Sequence, residues 1–179
     1  MVIISYNLLG VICMLSEVNY ECMTTSERLE HFSRLMKAFK NKNDIRTKNF
    51  VGDIGETVAI DFYNKSSSLP NLRLVEIGAK DIDAISDTNE RYSIKASSGS
   101  ATGIFKGLNP PNSNLPEEKK FDYAIVVLFN DDMKPRGMYE FDWQSFLEVK
   151  LWSNTHKAWY INISERSKRK AKIIYEQHT

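Results

Sequence analysis

The run YAIVVLF, at residues 123–129, is a continuous apolar stretch in the second half of the chain. An unbroken run of this length and composition is typical of a strand that is covered on both faces of its sheet. Further strand-like segments lie on either side of it, at residues 72–77, 82–85, 91–96, 137–141 and 159–163. The run therefore predicts the central strand of a sheet.

Helical patterns lie before and after these strands. Thr24 and Glu27 have the spacing of a capping box, and apolar residues follow at helical intervals, which predicts a helix over residues 24–39. Further helices are predicted over residues 51–63, 143–150 and 165–176. Helices around a set of strands indicate an α/β or α+β protein, with a central sheet that the helices flank.

The composition limits the possible classes of protein. A chain of 179 residues fits one globular domain. Its 24 basic and 23 acidic side chains nearly cancel, so total charge does not indicate nucleic acid, and only local clusters can do so. Cys13 and Cys22 are too few for a disulfide framework and lack zinc-site spacing, which favours a cytoplasmic location.

Residues 1–22 form an apolar extension ahead of the predicted domain at residues 23–179. Residues 2–15 lack a basic leader and are too short to span a bilayer, so we interpret them neither as a targeting sequence nor as a membrane anchor. Three interpretations stay open: an added strand or helix, a dimer contact, or an upstream extension of the coding frame before Met14 or Met23.

Residues 82–95 carry the strongest chemical signal. A polar turn at residues 86–90 between two strand segments predicts an antiparallel hairpin, with Ser93 and Lys95 on one face and Asp83 toward the same edge. A carboxylate there can hold a hard divalent cation, and a lysine can position an attacking water and stabilise charge on a phosphate. Taken alone, the same residues also fit a surface acid and a solvated lysine.

Two further features favour a site. Glu56 lies near the start of the second helix, after Gly52 and Gly55, where the helix dipole favours a carboxylate. Residues 96–103 are small and polar, so their backbone can approach a ligand closely. By itself, Glu56 also fits an ordinary acid at a helix start.

This pattern resembles the PD-(D/E)XK nuclease superfamily, which includes many type II restriction endonucleases. The resemblance covers residues 51–96 by motif and the chain after Met23 by order of elements. It implies a restriction-endonuclease-like fold with a central mixed sheet, and Mg²⁺ as cofactor with Mn²⁺ as a substitute. It also implies that Glu56, Asp83 and the backbone carbonyl of Ile94 bind the metal, with Lys95 beside the nucleophile.

The chain departs from the superfamily pattern at two positions. Ile82 stands where the proline of the family name is expected. Ser93 stands where an acid or glutamine is usual, which leaves the metal site one carboxylate short unless Glu56 or Asp81 compensates. A serine can orient a water at the metal but binds a cation weakly, and we include Ser93 among the predicted catalytic residues.

Two segments are candidates for contact with DNA. The first follows the catalytic strand, and the second is the basic closing helix, for which a solvated helix face is the alternative. The predicted DNA-binding residues are Ser97, Ser98, Thr102, Lys106, Lys168, Arg169 and Lys170. The basic segment at residues 40–48 is interpreted as a solvated loop or a phosphate-contacting one. Trp152 and Trp159 are interpreted first as packing residues, and His156 as a candidate phosphate contact.

The sequence therefore predicts a cytoplasmic, Mg²⁺-dependent DNA endonuclease with a restriction or other host-defence role. A homodimer is expected if both strands of a duplex are cut, because one such site hydrolyses one strand. Two alternatives stay open. One is a DNA-binding or partner-binding module of the same fold that has lost catalysis, and the other is a nuclease for branched DNA or RNA.

Overall fold

The computed structural model describes residues 3–6, 12–15, 18–76, 79 and 81–177. The chain divides into two compact units, Met1–Asn43 and Asp44–Thr179. In the first unit, strands Ile3–Tyr6 (β1) and Ile12–Leu15 (β2) pair antiparallel. An added strand was one of the three interpretations of residues 1–22. The other two, and the predicted domain boundary at residue 23, stay predictions.

Helix α1 of the first unit spans Thr25–Asn41 and follows a short 3-10 turn at Tyr20–Cys22. The Thr24 hydroxyl accepts a hydrogen bond from the backbone N–H of Glu27, and the Glu27 carboxylate accepts one from the backbone N–H of Thr24. These two bonds satisfy donors that would otherwise have no partner at the helix start. The predicted capping box is therefore confirmed.

The second unit contains a six-stranded sheet, two longer helices and a small two-stranded ribbon. Its elements in chain order are α2 (Phe50–Lys65), β3 (Leu72–Leu74), β4 (Ala84–Ser86), β5 (Arg91–Ser97), β6 (Tyr123–Phe129), β7 (Pro135–Asp142), α3 (Trp143–Val149), β8 (Leu151–Ser153), β9 (Ala158–Tyr160), α4 (Glu165–Lys168) and β10 (Lys172–Glu176). The strand order is β10-β7-β6-β5-β4-β3, with β5 and β6 parallel and the other neighbours antiparallel. The unit is thus α/β in architecture, with a mixed sheet.

Strand β6 lies in the interior of this sheet, as its apolar run predicted. Ile125, Val127 and Phe129 pack into the core on one face together with Ala59 and Tyr63 of α2. The alternate residues, Ala124, Val126 and Leu128, pack into a second core with Phe146 and Val149 of α3. The sheet is therefore covered by a helix on each face, and six of the seven β6 residues are buried.

The closing helix predicted over residues 165–176 is wrong for most of its length. Only Glu165–Lys168 is helical, and Lys172–Glu176 instead forms β10, which pairs antiparallel with β7. The residues Ile173, Ile174 and Tyr175 are branched or aromatic, and such side chains favour a strand. The open edge of β7 supplies the backbone partners that local helical periodicity could not reveal.

The remaining predicted elements differ from the structure mainly at their ends. The strand predicted over residues 72–77 pairs only at Leu72–Leu74, and Ile77 lies outside the described residues. The strand predicted over residues 159–163 is β9, Ala158–Tyr160, followed by an isolated bridge between Asn162 and Ala101. Among the described helices, none has both the length and the apolar character needed to cross a membrane.

Candidate active site

The β4–β5 hairpin fixes the position of Asp83. Ala84 pairs with Tyr92 and Ile85 with Arg91 in an antiparallel register, so the predicted hairpin is confirmed. Asp83 directly precedes β4, and its backbone N–H donates to the Tyr92 carbonyl at 2.8 Å. Its own carbonyl accepts from the Val75 N–H at 3.2 Å. Backbone bonds on both sides therefore hold Asp83 in the plane of the sheet.

The Asp83 carboxylate accepts hydrogen bonds from three consecutive residues of β5. Its Oδ2 atom accepts from the backbone N–H of Ile94 at 2.7 Å, from Lys95 Nζ at 3.2 Å and from the Ser93 hydroxyl at 3.4 Å. Tyr92 and Ile94 point the other way, into the core beneath α2. The predicted alternation along β5 is confirmed, and Asp83 and Lys95 meet as expected.

The Lys95 ammonium group contacts two oxygen atoms at once. Nζ lies 3.2 Å from Asp83 Oδ2 and 3.1 Å from the Ile94 carbonyl oxygen. It also lies 5.6 Å from the centre of the Phe105 ring, a distance at which the ring face attracts a cation. These contacts restrict the lysine to one location, and they show that a carboxylate oxygen and a carbonyl oxygen face a common point.

Glu56 projects from α2 and is paired with Arg46 of the preceding loop. Arg46 Nη2 donates to Glu56 Oε2, and Nη1 donates to the Val75 carbonyl at 3.1 Å. Both charged side chains are only 16% exposed. Burial, and then the nearby charge of Asp83, raise the pKa of Glu56, while the bond from Arg46 opposes that rise. Glu56 and Asp83 also line the same cavity.

Gly55 allows α2 to approach β5 closely. A Cβ atom at Gly55 would lie 2.2 Å from the Cβ of Ala96, far inside van der Waals contact. The absence of a side chain at this position therefore sets the distance between the helix and the strand. Because Glu56 is the next residue along α2, this packing also sets how far its carboxylate lies from the hairpin.

Two cavities meet at Asp83. One of about 180 Å³ is lined by Asp81, Asp83, Ser93, Lys95 and Lys106, among others. The other, of about 150 Å³, is lined by Asp83 together with Arg46, Asp53, Glu56 and Glu76. Asp83 is thus reachable from both sides. Asp81 lines the same cavity as Ser93, the position at which the superfamily pattern has an acid. That the Asp81 carboxylate replaces this missing acid stays a prediction.

The oxygen donors near Asp83 are of the chemical type that Mg²⁺ binds. In the part of the chain that the structure describes, no group of three or more Asp, Glu, His or Cys side chains is arranged to hold a metal. Asp83, Glu56 and the Ile94 carbonyl offer two carboxylates and one further oxygen. Mg²⁺ is usually held by only one or two carboxylates and keeps several waters or substrate phosphates as ligands. A set of this size therefore suits Mg²⁺ better than a metal that needs a closed cage.

The four predicted DNA-binding residues in the segment after β5 differ in exposure and in hydrogen bonding. The Ser97 hydroxyl accepts from the Gly99 N–H at 3.0 Å, and Ser98 is exposed. Thr102 is buried, with its hydroxyl donating to the Gly103 carbonyl and accepting from the Ile161 N–H. Lys106 is exposed at the border of the larger cavity. Of these four, Lys106 combines a positive charge with direct access to the site.

The basic residues at the C-terminal end are paired with carboxylates or backbone of the same chain. Lys168 Nζ bonds Glu176 at 2.5 Å, and Lys170 Nζ bonds Glu148 at 2.7 Å. Arg169 Nε donates to the Glu165 carbonyl at 3.2 Å. The continuous basic helix predicted for these three residues is not formed, while their contact with DNA stays a prediction.

Trp152, Trp159 and His156 lie in or beside the β8–β9 ribbon. Trp152 and Trp159 pack edge to face, with ring centres 5.1 Å apart. The Trp159 indole N–H donates to the Asn109 carbonyl at 2.7 Å, and Lys150 Nζ lies 4.3 Å from the ring centre. Their interpretation as packing residues is thus supported. His156 is exposed in the turn between the two strands, and its phosphate contact stays a prediction.

Sequence reasoning did not assign a site role to Arg46. Its only signal was membership of the basic segment at residues 40–48, and nothing in that pattern distinguishes one cation from its neighbours. In the structure, Arg46 differs from the other basic residues of this segment because its loop is held by Asp53. The buried Asp53 carboxylate accepts hydrogen bonds from the backbone N–H groups of Arg46 and Thr47. This contact turns the loop inward and brings the guanidinium group to Glu56.

No protein-family model matches the chain, and no curated protein matches its sequence.

Proposed function

We propose that this chain is a divalent-metal-dependent DNA endonuclease with the restriction-endonuclease-like fold. The observation that carries the proposal is the position of the Lys95 ammonium group, within 3.2 Å of Asp83 Oδ2 and 3.1 Å of the Ile94 carbonyl oxygen. A carboxylate, a convergent carbonyl and an ordered cationic side chain are the parts that phosphodiester hydrolysis needs.

Asp83, Glu56 and the Ile94 carbonyl are the groups that would hold Mg²⁺. A cation bound there would polarise the phosphate and lower the pKa of a water molecule. The protein contributes the fixed positions of these oxygens. Asp83 is held by backbone bonds to two neighbouring segments, and Glu56 is placed by the close packing of Gly55 against Ala96.

Lys95 is the residue that would act on the reacting phosphate. Its ammonium group bonds Asp83 Oδ2 and the Ile94 carbonyl, which are both proposed metal ligands, so a bound cation would take over these oxygens and leave the ammonium group to face the phosphate. A positive charge there would stabilise the negative charge that develops on the phosphate oxygens as water attacks phosphorus. Ser93, next to it and hydrogen-bonded to Asp83, would help to orient that water.

The proposed substrate is double-stranded DNA, and the proposed biology is restriction or another host-defence role in the cytoplasm. Lys106 supports a polyanionic substrate, since it is exposed beside the cavity that contains Lys95. A homodimer is part of the proposal, because one site cuts one strand and a two-fold axis supplies the second site.

Plasmid cleavage tests the proposal. Wild-type protein and Asp83→Asn are incubated with supercoiled plasmid and either Mg²⁺ or Mn²⁺. We expect the wild type to produce nicked and then linear DNA, and the variant to lose at least about 100-fold in rate. No cleavage by the wild type, or equal cleavage by the variant, would contradict the proposal. Discrete fragments would indicate sequence recognition, whereas a smear would indicate a nonspecific nuclease.

A second candidate function is a DNA-binding module without catalysis. The observation in its favour is Ser93, which is buried and offers a hydroxyl where the superfamily uses an acid. Duplex retention in a gel-shift assay without cleavage under any divalent cation would favour this candidate. Under the endonuclease proposal, the same protein bound to the same duplex converts it to product once Mg²⁺ is added.

A further inference from the structure

We propose that Arg46 is the resident counter-cation of Glu56 and sets the affinity of the site for divalent cations. In this view the guanidinium group neutralises Glu56 while no metal is bound and leaves it when a cation enters. The inference rests on the proposed function, because it takes Glu56 and Asp83 as metal ligands. It adds a residue that controls metal loading.

The contact itself is the first argument. Arg46 Nη2 donates to Glu56 Oε2, and both side chains are 16% exposed. A buried carboxylate without a partner is costly, so a fixed cation at this point stabilises the folded chain. The guanidinium group therefore compensates the negative charge of the Glu56 carboxylate, as a bound metal ion would.

The surrounding charge is the second argument. The 150 Å³ cavity is lined by Asp53, Glu56, Glu76 and Asp83, and Arg46 is the only basic side chain among the described residues that line it. A divalent cation would be attracted by Glu56 and Asp83 and repelled by Arg46 at short range. Metal and guanidinium thus compete for the same small space.

The attachment of Arg46 to the fold is the third argument. Asp53 binds the backbone N–H of Arg46 at 2.8 Å and the Thr47 hydroxyl at 3.1 Å, which holds the loop in place. The guanidinium group is held separately, by Glu56 and by the Val75 carbonyl. The side chain can leave Glu56 by rotating its own bonds, while the backbone bonds to Asp53 stay intact.

Binding of Mn²⁺ tests the inference without any cleavage reaction. The fraction of free Mn²⁺ is measured by electron paramagnetic resonance during titration of the wild type, Arg46→Met and Arg46→Gln. Both variants remove the charge, and the glutamine retains a donor for Val75. We expect each to bind Mn²⁺ at least about tenfold more tightly than the wild type. Unchanged or weaker binding by folded variants would overturn the inference, as would no binding by any of the proteins.

Arg91 provides a matched control. Its backbone N–H and its Nε both donate to Asp122, and its Nη2 donates to the Lys119 carbonyl, so its guanidinium group, like that of Arg46, bonds one carboxylate and one backbone carbonyl. Arg91→Met is expected to bind Mn²⁺ within about twofold of the wild type, because its charge lies outside both site cavities. A gain like that of Arg46→Met would show a general charge effect and overturn the inference.

The double variant Arg46→Met/Glu56→Gln tests whether Glu56 is the group that Arg46 controls. The tighter Mn²⁺ binding is expected to disappear when Glu56 is also neutral. Persistence of the full gain would overturn the inference. The result is separable from the proposed function. Tighter binding by Arg46→Met without plasmid cleavage supports this inference and contradicts the nuclease, whereas cleavage with unchanged binding does the reverse.

Discussion

Lys95 and Lys168 are similar in exposure but differ in what they contact. Their side chains are 24% and 26% exposed, and each bonds a carboxylate of the same chain. Lys95 bonds Asp83 and the Ile94 carbonyl on the wall of a cavity. Lys168 bonds Glu176 and Glu165, residues close to it along the chain. The position of the partner oxygens, more than the exposed fraction of the side chain, therefore distinguishes Lys95 from Lys168.

The largest expected effect comes from removing each lysine in turn. Lys95→Met is expected to lower the rate of plasmid cleavage by at least about 100-fold, because the charge beside the phosphate is lost. At saturating protein, Lys168→Met is expected to change the rate by less than about threefold, since its charge lies outside the cavity that contains Lys95. Rates under single-turnover conditions measure both.

The two lysine variants also test whether the C-terminal segment contacts DNA. If Lys168→Met lowers cleavage or duplex retention as much as Lys95→Met, then the C-terminal segment contacts DNA, as the sequence predicted. Circular dichroism of both variants controls for loss of structure.

A smaller effect is expected from the packing that places Glu56. Gly55→Ala would bring a Cβ to 2.2 Å from the Cβ of Ala96, so helix and strand must separate. We expect a loss of about 2 kcal/mol in the free energy of unfolding, because the overpacking exceeds the gain in helix propensity. Gly103→Ala is the control, since a Cβ added there would meet no atom within 4 Å, and its expected change is below about 0.5 kcal/mol. Urea denaturation measures both, and equal stabilities would contradict this view of α2.

The next effect concerns Glu140 of β7. Its buried carboxylate accepts from the Tyr63 hydroxyl of α2 at 2.6 Å and lies 3.6 Å from Lys172 of β10. Tyr63→Phe is expected to lower the free energy of unfolding by about 1.5 kcal/mol, since a buried acceptor loses its donor. Mn²⁺ affinity should not change. A shift in that affinity would show that the core and the site are coupled.

The smallest expected effect concerns the ion pair at the start of β5. Partial burial raises the pKa of Asp122, but hydrogen bonds from Lys119 and Arg91 outweigh it and lower the pKa to about 2. Because the folded pKa is depressed, the stabilisation is complete above about pH 5 and is lost as pH falls toward 2. Asp122→Asn should cost about 1 kcal/mol at pH 6 and almost nothing near pH 2. Thermal unfolding at several pH values checks this, and a cost independent of pH would contradict it.

The sequence predicted the parts of the fold that depend on local pattern. The alternation of Tyr92, Ser93, Ile94 and Lys95 determined which side chains meet Asp83, and the apolar run at residues 123–129 identified the interior strand. It did not predict β10, because Lys172–Glu176 is a strand only through pairing with β7. It also did not predict the role of Arg46, which depends on the contact between Asp53 and the loop before α2. Both failures concern contacts between segments that local periodicity does not describe.

A divalent cation is proposed to bind between Asp83 and Glu56, beside Lys95. Anomalous diffraction at the manganese edge, from crystals grown with Mn²⁺, tests it most directly. We expect a peak bounded by the Asp83 carboxylate, the Glu56 carboxylate and the Ile94 carbonyl, with Arg46 moved away from Glu56. A map without a peak there, and with the Arg46–Glu56 pair intact at saturating Mn²⁺, would contradict it.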